Sequence, residues 1–155
     1  MSNPHSYSES EKKAVYKVIA ERRDMRHFNG QPLSGDVLQR ILVAAHMAPS
    51  VGLMQPWRFI RITDKSIRKS IFNIVDKECE LTSEALGQRK QEFLKLKVEG
   101  VMQCSELLIA ALPDGREEHV FGRRTIPEMD LASLSCAIQN MWLAARVEGI
   151  GMGWV

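Results

Sequence analysis

The chain has 155 residues, of which 45% are hydrophobic and 26% charged, and its 21 basic and 19 acidic residues leave a formal net charge of +2. This length suits a single domain over residues 1–155, and the nearly balanced charge excludes the basic stripe that nucleic acid requires. Because the sequence has neither an eighteen-residue apolar window nor a leader pattern, it predicts no membrane association and a cytoplasmic protein with a small-molecule partner.

The N-terminal third predicts two amphipathic helices. Ser8 and Glu11 form a capping box ahead of apolar residues at helical spacing, so a first helix should run from about Glu9 into an arginine-rich stretch at residues 21–28. Ser34 should cap a second helix. The apolar face of this second helix comprises Val37, Leu38, Ile41, Leu42 and Ala45.

Between these helices, Arg22, Arg23 and Arg26 surround Asp24. The guanidinium fork binds phosphate well, and neighbouring cations keep a carboxylate ionised. The stretch is therefore a candidate phosphate clamp, with Asp24 as a fixed base or an orienting group. The alternative is that these charges form only the solvated end of a helix.

A loop at residues 49–56 follows the second helix, which should end before Pro49. Two prolines and a glycine exclude regular structure there, yet apolar side chains stand beside the polar Ser50 and Gln55. We expect such a loop to line a ligand. A flat, amphipathic ligand that carries a phosphate, such as flavin mononucleotide (FMN), suits both this loop and the arginine-rich stretch.

The middle of the chain predicts a strand at Phe59–Thr63 and a helix capped by Asp64. From Glu78 to Gly100 the periodicity is weaker and the residues are more charged. This part predicts helical segments that form a lid or an arm, and a solvated helix is the alternative.

The C-terminal part predicts a buried strand at Leu107–Leu112 and a central apolar helix from Leu131 to about Glu148, capped by Asp130. Spaced glycines at 149–153 follow that helix, which is the wrong order for a dinucleotide loop. Gly149 is instead expected to end the helix, and the other glycines to allow close backbone approach. Helices outnumber strands without regular alternation, so an α+β fold is favoured.

Metal and nucleophile motifs are absent from the sequence. The four histidines have no ligand spacing, and His46 is expected to be a satisfied histidine or a cap on helix carbonyls. Cys79, Cys104 and Cys136 are too far apart for a disulfide framework or a zinc site, so we expect buried thiols.

Several longer motifs together resemble one known family, the nitroreductase superfamily. They are Arg22-Arg23-x-x-Arg26, Ala48-Pro49-Ser50 with Gln55-Pro56-Trp57-Arg58-Phe59, and Gly149-x-Gly151-x-Gly153-Trp154. The chain is most similar to the branch that fragments flavin, over a stretch from about Ser8 to its last residue. Features of that branch are Asp24, where ordinary nitroreductases usually carry serine, the run 48–57, Pro127-Glu128-Met129-Asp130-Leu131, and 136–146.

The resemblance implies an α+β FMN-dependent nitroreductase fold with a central mixed sheet flanked by helices. It further implies an intertwined homodimer with the flavin at the subunit interface. In the family, the strand that contains Gly153-Trp154-Val155 continues into a serine near the flavin and a segment that wraps the partner subunit. We therefore expect that a C-terminal part is missing here, with reduced stability or a changed assembly as the consequence.

The activity implied by the resemblance is oxygen-dependent fragmentation of reduced FMN to 5,6-dimethylbenzimidazole, the lower ligand of cobalamin, with release of erythrose 4-phosphate. Reduced FMN is then a substrate, molecular oxygen is a co-substrate, and a separate flavin reductase supplies the reduced flavin.

The resemblance also assigns roles by position. Asp24 would direct the chemistry, as a proton acceptor or an orienting group. The other candidates would bind the flavin. The phosphate and ribityl chain would contact Arg22, Arg23, Met25 and Arg26. The isoalloxazine ring would contact Pro49, Ser50 and Gln55, and Leu96 would belong to the lid.

Two other functions stay open at this point. One is an NAD(P)H-dependent nitro or quinone reductase that recycles FMN, against which Asp24 and the arm at 81–100 argue. The other is a non-catalytic flavin-binding protein, which the expected missing C-terminal part makes more credible.

Overall fold

The computed structural model describes residues 5–86, 93, 98–113 and 122–155. In chain order the elements are α1 (Glu9–Glu21), α2 (Gly35–His46), a 3-10 turn (Val51–Leu53), β1 (Arg58–Arg61), α3 (Lys65–Ala85), α4 (Gly100–Gln103), β2 (Leu108–Ala111) and α5 (Met129–Val147). Helices combined with an antiparallel strand pair confirm the predicted α+β class. The sheet of the described residues is a two-stranded antiparallel one and not the mixed sheet that the resemblance implies, because Met152 in the C-terminal segment forms only an isolated parallel bridge, with Asp24.

The two N-terminal helices begin where the sequence predicts. At α1 the Glu11 amide donates to the Ser8 hydroxyl over 3.3 Å, and the Ser8 amide donates to the Glu11 carboxylate over 2.8 Å. At α2 the Val37 amide donates to the Ser34 hydroxyl over 3.3 Å. Both caps satisfy amides that have no partner within the helix.

Helices α2 and α5 pack against each other to form the core. Ala45 and Ala137 have no exposed surface, and such small side chains let the two helix backbones approach closely. The Asn140 amide donates to the Ala44 carbonyl over 3.1 Å and so links the same two helices. The remaining buried members of this core are Ile41, Ala48, Trp57, Leu134, Ile138, Met141 and Ala145. The prediction of a central C-terminal helix is confirmed.

The strands β1 and β2 pair antiparallel, with Phe59 opposite Ala110. Phe59 and Leu108 pack against the core, whereas Ile60 and Ile109 are 49% and 39% exposed. The prediction that the second strand is buried is therefore wrong, because the core covers only one face of this strand pair.

Asp64 caps α3 as predicted. Its carboxylate accepts hydrogen bonds from the Ser66 hydroxyl and amide and from the Ile67 amide, and these bonds lower the pKa of Asp64. The helix continues to Ala85 and so extends into the segment predicted to form a lid. Leu96 and most of the remaining predicted lid lie outside the described residues.

Asp130 does not cap α5, contrary to the prediction. The helix begins at Met129 with Glu128 at the cap position, where no side-chain bond forms. The chain before α5 turns back at residues 122–125 and brings the Arg123 Nε to 2.7 Å from the buried Asp130 carboxylate. The carboxylate therefore forms a buried ion pair in the first helical turn.

Gly149 ends α5, which confirms the prediction. It has φ +76°, a conformation that glycine adopts without steric cost. Its amide donates to the Arg146 carbonyl over 3.2 Å, while the Ile150 amide donates to the Ala145 carbonyl over 2.8 Å. These two bonds form a Schellman motif, which redirects the chain away from the helix.

The cysteine prediction is wrong for Cys136, which is exposed. Cys79 and Cys104 are partly buried, and burial raises the pKa of both thiols. Within the described ranges, no helix has the length and apolarity needed to span a membrane, and no cluster of side chains could hold a metal ion.

Candidate functional site

The predicted clamp, which we call the arginine cluster (residues 22–26), lies against the C-terminal segment of the chain. Asp24 forms an isolated parallel bridge with Met152, and the Met25 amide donates to the Met152 carbonyl over 3.0 Å. The guanidinium of Arg146 on α5 also pairs with Glu21, at the end of α1, over 2.8 Å. The cluster is thus held on both sides by the C-terminal quarter of the chain.

Asp24 is anchored through both carboxylate oxygens. One oxygen accepts a hydrogen bond from the backbone amide of Trp154 over 3.1 Å, and the other pairs with the Arg26 guanidinium at 2.5 Å. The Asp24 side chain remains 37% exposed. A carboxylate that is fixed but still open to solvent can meet a substrate directly, which agrees with either role predicted for Asp24.

The three arginines differ in how much donor capacity they retain. Arg23 donates to the Ala20 and Arg22 carbonyls, both over 2.7 Å, so its guanidinium caps carbonyl groups at the C-terminal end of α1. The Arg22 guanidinium lies 4.6 Å from the ring centre of Trp142 and makes no hydrogen bond to the described residues. The Nε atom of Arg26 is buried without a partner there. Arg22 and Arg26 therefore retain donors for an anion.

Trp142 supports the arginine cluster, a role that the sequence analysis missed. Its indole N–H donates to the Arg23 carbonyl over 3.2 Å, and its ring faces Arg22. The ring also packs edge-on against the ring of Trp154, with the two ring centres 6.3 Å apart. The sequence did contain a signal for this role. A tryptophan on the buried face of a mainly aliphatic helix has an N–H donor that needs a hydrogen-bond partner.

Gly153 lies where a side chain would collide with the arginine cluster. A Cβ atom there would stand 2.2 Å from the Met25 carbonyl oxygen and 3.3 Å from the Asp24 carboxylate. The predicted close backbone approach is confirmed at this position. The glycine thus permits the contact that fixes Asp24.

Replacing Gly153 with alanine is expected to lower the free energy of unfolding by about 1–3 kcal/mol, because backbone would have to move. Urea titration followed by circular dichroism measures this change. Gly35→Ala is the matched control, since no atom lies within 4 Å of the added carbon. The control should be unchanged or slightly more stable. Equal midpoints for the two variants would contradict the close contact at Gly153.

The second predicted part, loop 49–56, is braced at its base. The Gln55 side chain donates to the His46 carbonyl over 2.8 Å, and the Gln55 amide donates to the Ser50 hydroxyl over 2.9 Å. The Trp57 indole donates to the His46 Nδ1 over 3.2 Å, so the prediction of a satisfied histidine is confirmed. Pro49 is exposed. Ser50 and Gln55 thus hold the loop in shape.

The tip of this loop has an unusual backbone. It forms a short 3-10 turn, where the sequence predicted no regular structure. Leu53 and Gln55 have φ values of +56° and +46°, in the left-handed region that disfavours non-glycine residues. Leu53 is also 89% exposed. Backbone strain of this kind is concentrated at functional sites, which agrees with the predicted binding role of the loop.

Ser133 binds the loop at Val51, the first residue of the 3-10 turn. Its hydroxyl accepts a hydrogen bond from the Val51 amide over 3.0 Å. Sequence reasoning missed this residue, although a serine on the buried face of an apolar helix requires a partner and so provides a signal.

Among the described residues, the two cavities that border the arginine cluster do not extend to loop 49–56. Ser133 holds the loop, and Trp142, nine residues later on α5, holds the arginine cluster. At 1.5 Å per residue these two contacts are roughly 14 Å apart along the helix. A cavity of about 600 Å³ borders Met25 and Arg26, and one of about 90 Å³ borders Arg22 and Arg23. No residue of loop 49–56 lines either cavity.

Comparison with known proteins places these features in a family context. The Nitroreductase family model matches residues 19–155. The 5,6-dimethylbenzimidazole synthase of Rhodospirillum rubrum is 37% identical over 137 residues, which cover 86% of this chain and 64% of that protein. The enzyme of the same name from Rhodobacter capsulatus is 32% identical over 152 residues, which cover 97% of this chain and 73% of that protein.

A solved structure of oxidized iodotyrosine deiodinase, bound to FMN and 3-iodo-L-tyrosine, superposes with a TM-score of 0.71 at 20% identity. The match covers 88% of this chain and 71% of that one, and at this identity it shows a shared fold alone. The chain thus spans between 64% and 73% of the length of the proteins described here.

Proposed function

The chain belongs to the nitroreductase family, and from this premise we propose that it takes part in the oxygen-dependent fragmentation of reduced FMN to 5,6-dimethylbenzimidazole. Erythrose 4-phosphate is the second product of the proposed reaction, and a separate flavin reductase supplies the reduced FMN. The two synthases at 37% and 32% identity support this proposal over other activities in the family.

The observation that carries the proposal is the anchoring of Asp24. Its carboxylate is fixed by Arg26 and by the Trp154 amide and still reaches solvent. Cleavage of carbon–carbon bonds in a flavin requires proton transfers at defined places, and a fixed carboxylate can supply them. We assign to Asp24 the role of accepting a proton from the substrate.

The arginine cluster fits the phosphate of FMN. Arg22 retains its donors, and the buried Nε of Arg26 has no partner among the described residues. A phosphate bound at either arginine would accept hydrogen bonds from it, since guanidinium donors form strong, charge-assisted bonds to phosphate oxygens. When bound, FMN supplies the redox-active ring that reacts with oxygen, whereas the arginines would bind and orient it and Asp24 would exchange a proton with it.

We further propose that the working form is a homodimer whose flavin site combines the arginine cluster of one protomer with loop 49–56 of its partner. The two cavities beside the arginine cluster support this arrangement, because neither is lined by a described residue of loop 49–56. So does α1, which has no buried residue although Val15 and Ile19 are apolar. A second protomer would cover such apolar surface.

The direct test is aerobic incubation of the 155-residue protein with chemically reduced FMN, followed by mass spectrometry. We expect 5,6-dimethylbenzimidazole to appear, and none to appear under anaerobic conditions or with oxidised FMN. Sedimentation of the same sample with FMN would reveal a species of twice the chain mass if the site is shared between two copies.

Two other outcomes would replace the proposal. Oxidation of NAD(P)H with a nitroaromatic acceptor, while FMN remains intact, would assign the chain to the reductases that recycle flavin. FMN binding without either reaction would assign it a non-catalytic flavin-binding role.

A further inference from the structure

We infer that Ser133 is a positioning residue, which sets the conformation of loop 49–56 for contact with the flavin ring. This inference rests on the proposed function, because it assumes that the loop approaches a flavin. Ser133 lies on α5 and belongs neither to the arginine cluster nor to the loop.

The contacts of Ser133 form a continuous chain from helix to loop. Its hydroxyl donates to the Met129 carbonyl one turn earlier, over 2.6 Å, and accepts from the Val51 amide over 3.0 Å. The donated bond fixes the direction of the hydroxyl lone pairs, so the acceptor is aimed at the loop before any ligand arrives. Ser133 is 3% exposed, so water does not compete for either bond.

The loop needs such a contact because its own backbone is strained. Leu53 and Gln55, both in the left-handed region, lie within four residues of Val51. Strained conformations of this kind persist only when surrounding contacts determine them. Gln55 secures the base of the loop through His46, whereas Ser133 secures the start of the 3-10 turn.

A second contact confines Val51 from the side. Gly122, with φ +84°, lies so close that an added Cβ would stand 3.1 Å from a methyl group of Val51. The neighbouring Arg123 is fixed to Asp130 in the first turn of α5. Ser133 and Asp130 both lie in the first two turns of α5, so this end of the helix supports the loop directly through Ser133 and indirectly through Arg123 and the neighbouring Gly122.

The test compares Ser133→Ala with Ser135→Ala. Ser135 is a matched control, because its hydroxyl donates to the Leu131 carbonyl over 2.8 Å on the same helix but does not contact the loop. Without flavin, the Val51 amide should exchange with deuterium about tenfold faster in Ser133→Ala than in the parent or in Ser135→Ala, since it loses its buried acceptor. Equal exchange in the two variants would overturn the inference.

Ligand binding provides the second readout. Ser133→Ala should raise the dissociation constant for FMN about five- to tenfold, while affinity for inorganic phosphate, which needs only the arginine cluster, stays unchanged. Ser135→Ala should match the parent for both ligands. Equal weakening for FMN and phosphate would identify Ser133 as merely structural.

The two proposals fail in different ways. If the parent binds no FMN, the proposed function fails and the inferred role of the loop fails with it. If the parent binds FMN and Ser133→Ala binds it equally well, only the inference about Ser133 is overturned.

Discussion

Replacing Asp24 with asparagine is expected to lower the rate of 5,6-dimethylbenzimidazole formation by about 10²–10⁴-fold, the range typical for loss of a positioned proton acceptor. Asparagine has the size of aspartate and can still accept the hydrogen bond that the Trp154 amide donates over 3.1 Å. It cannot take up a proton at neutral pH or neutralise Arg26. The chemistry should therefore fail while FMN remains bound.

The measurement is the initial rate of product formation with reduced FMN in air, together with FMN binding followed by flavin fluorescence. Asp36→Asn removes a carboxylate of equal charge from the exposed first turn of α2 and should leave both quantities unchanged. A normal rate in Asp24→Asn would remove Asp24 from the mechanism. Lost FMN binding in that variant would instead indicate that Asp24 orders the arginine cluster.

Local sequence rules predicted most helix boundaries. Each successful prediction depended on contacts between near neighbours, as for Ser8 with Glu11 and Asp64 with Ser66. The spacing of apolar residues also identified α5 as the central helix. The resemblance added the nitroreductase-like fold, which the family match and the structural likeness confirm.

The failures have a common physical cause, because each depends on how the helix packs against the segments around it, which local helix rules do not include. The sequence predicted that Asp130 would cap α5, but a turn that precedes the helix supplies Arg123 as a partner instead. The sequence also predicted that Cys136 would be buried, although it lies on the exposed side of α5. Whether a residue on a largely apolar helix faces the core depends on what packs there, which composition does not specify.

The sequence predicted which residues form the two parts of the candidate site. It did not predict where these two parts lie relative to each other. The arginine cluster and loop 49–56 were both identified from their residues. Their separation along α5 follows from two long-range bonds, Val51 to Ser133 and Trp142 to Arg23. No local pattern encodes such bonds, since each joins segments more than eighty residues apart in the chain.

Removal of one partner from the pair between Arg123 and Asp130 should be among the most destabilising single changes in the described part of the chain. Asp130 is 1% exposed and Arg123 only 16%, and the two groups lie 2.7 Å apart. Removing the Asp130 carboxylate takes away a close charge partner of the Arg123 guanidinium at a site that is largely shielded from water. Asp130→Ala is therefore expected to lower the free energy of unfolding by about 3–5 kcal/mol.

A more exposed pair of equal length provides the control for this prediction. Arg61 and Glu106 also lie 2.7 Å apart, but the Arg61 side chain is 54% exposed and the Glu106 side chain 17%. Water reaches that pair through Arg61, so the matched change Glu106→Ala should cost at most about 1 kcal/mol. Urea unfolding of both variants compares two ion pairs of equal length and different exposure. Similar losses of unfolding free energy would contradict the prediction that the burial of Asp130 makes its removal more costly. Asp130 fixes Arg123, and the neighbouring Gly122 lies close to Val51. The Asp130 variant should therefore also accelerate amide exchange at Val51.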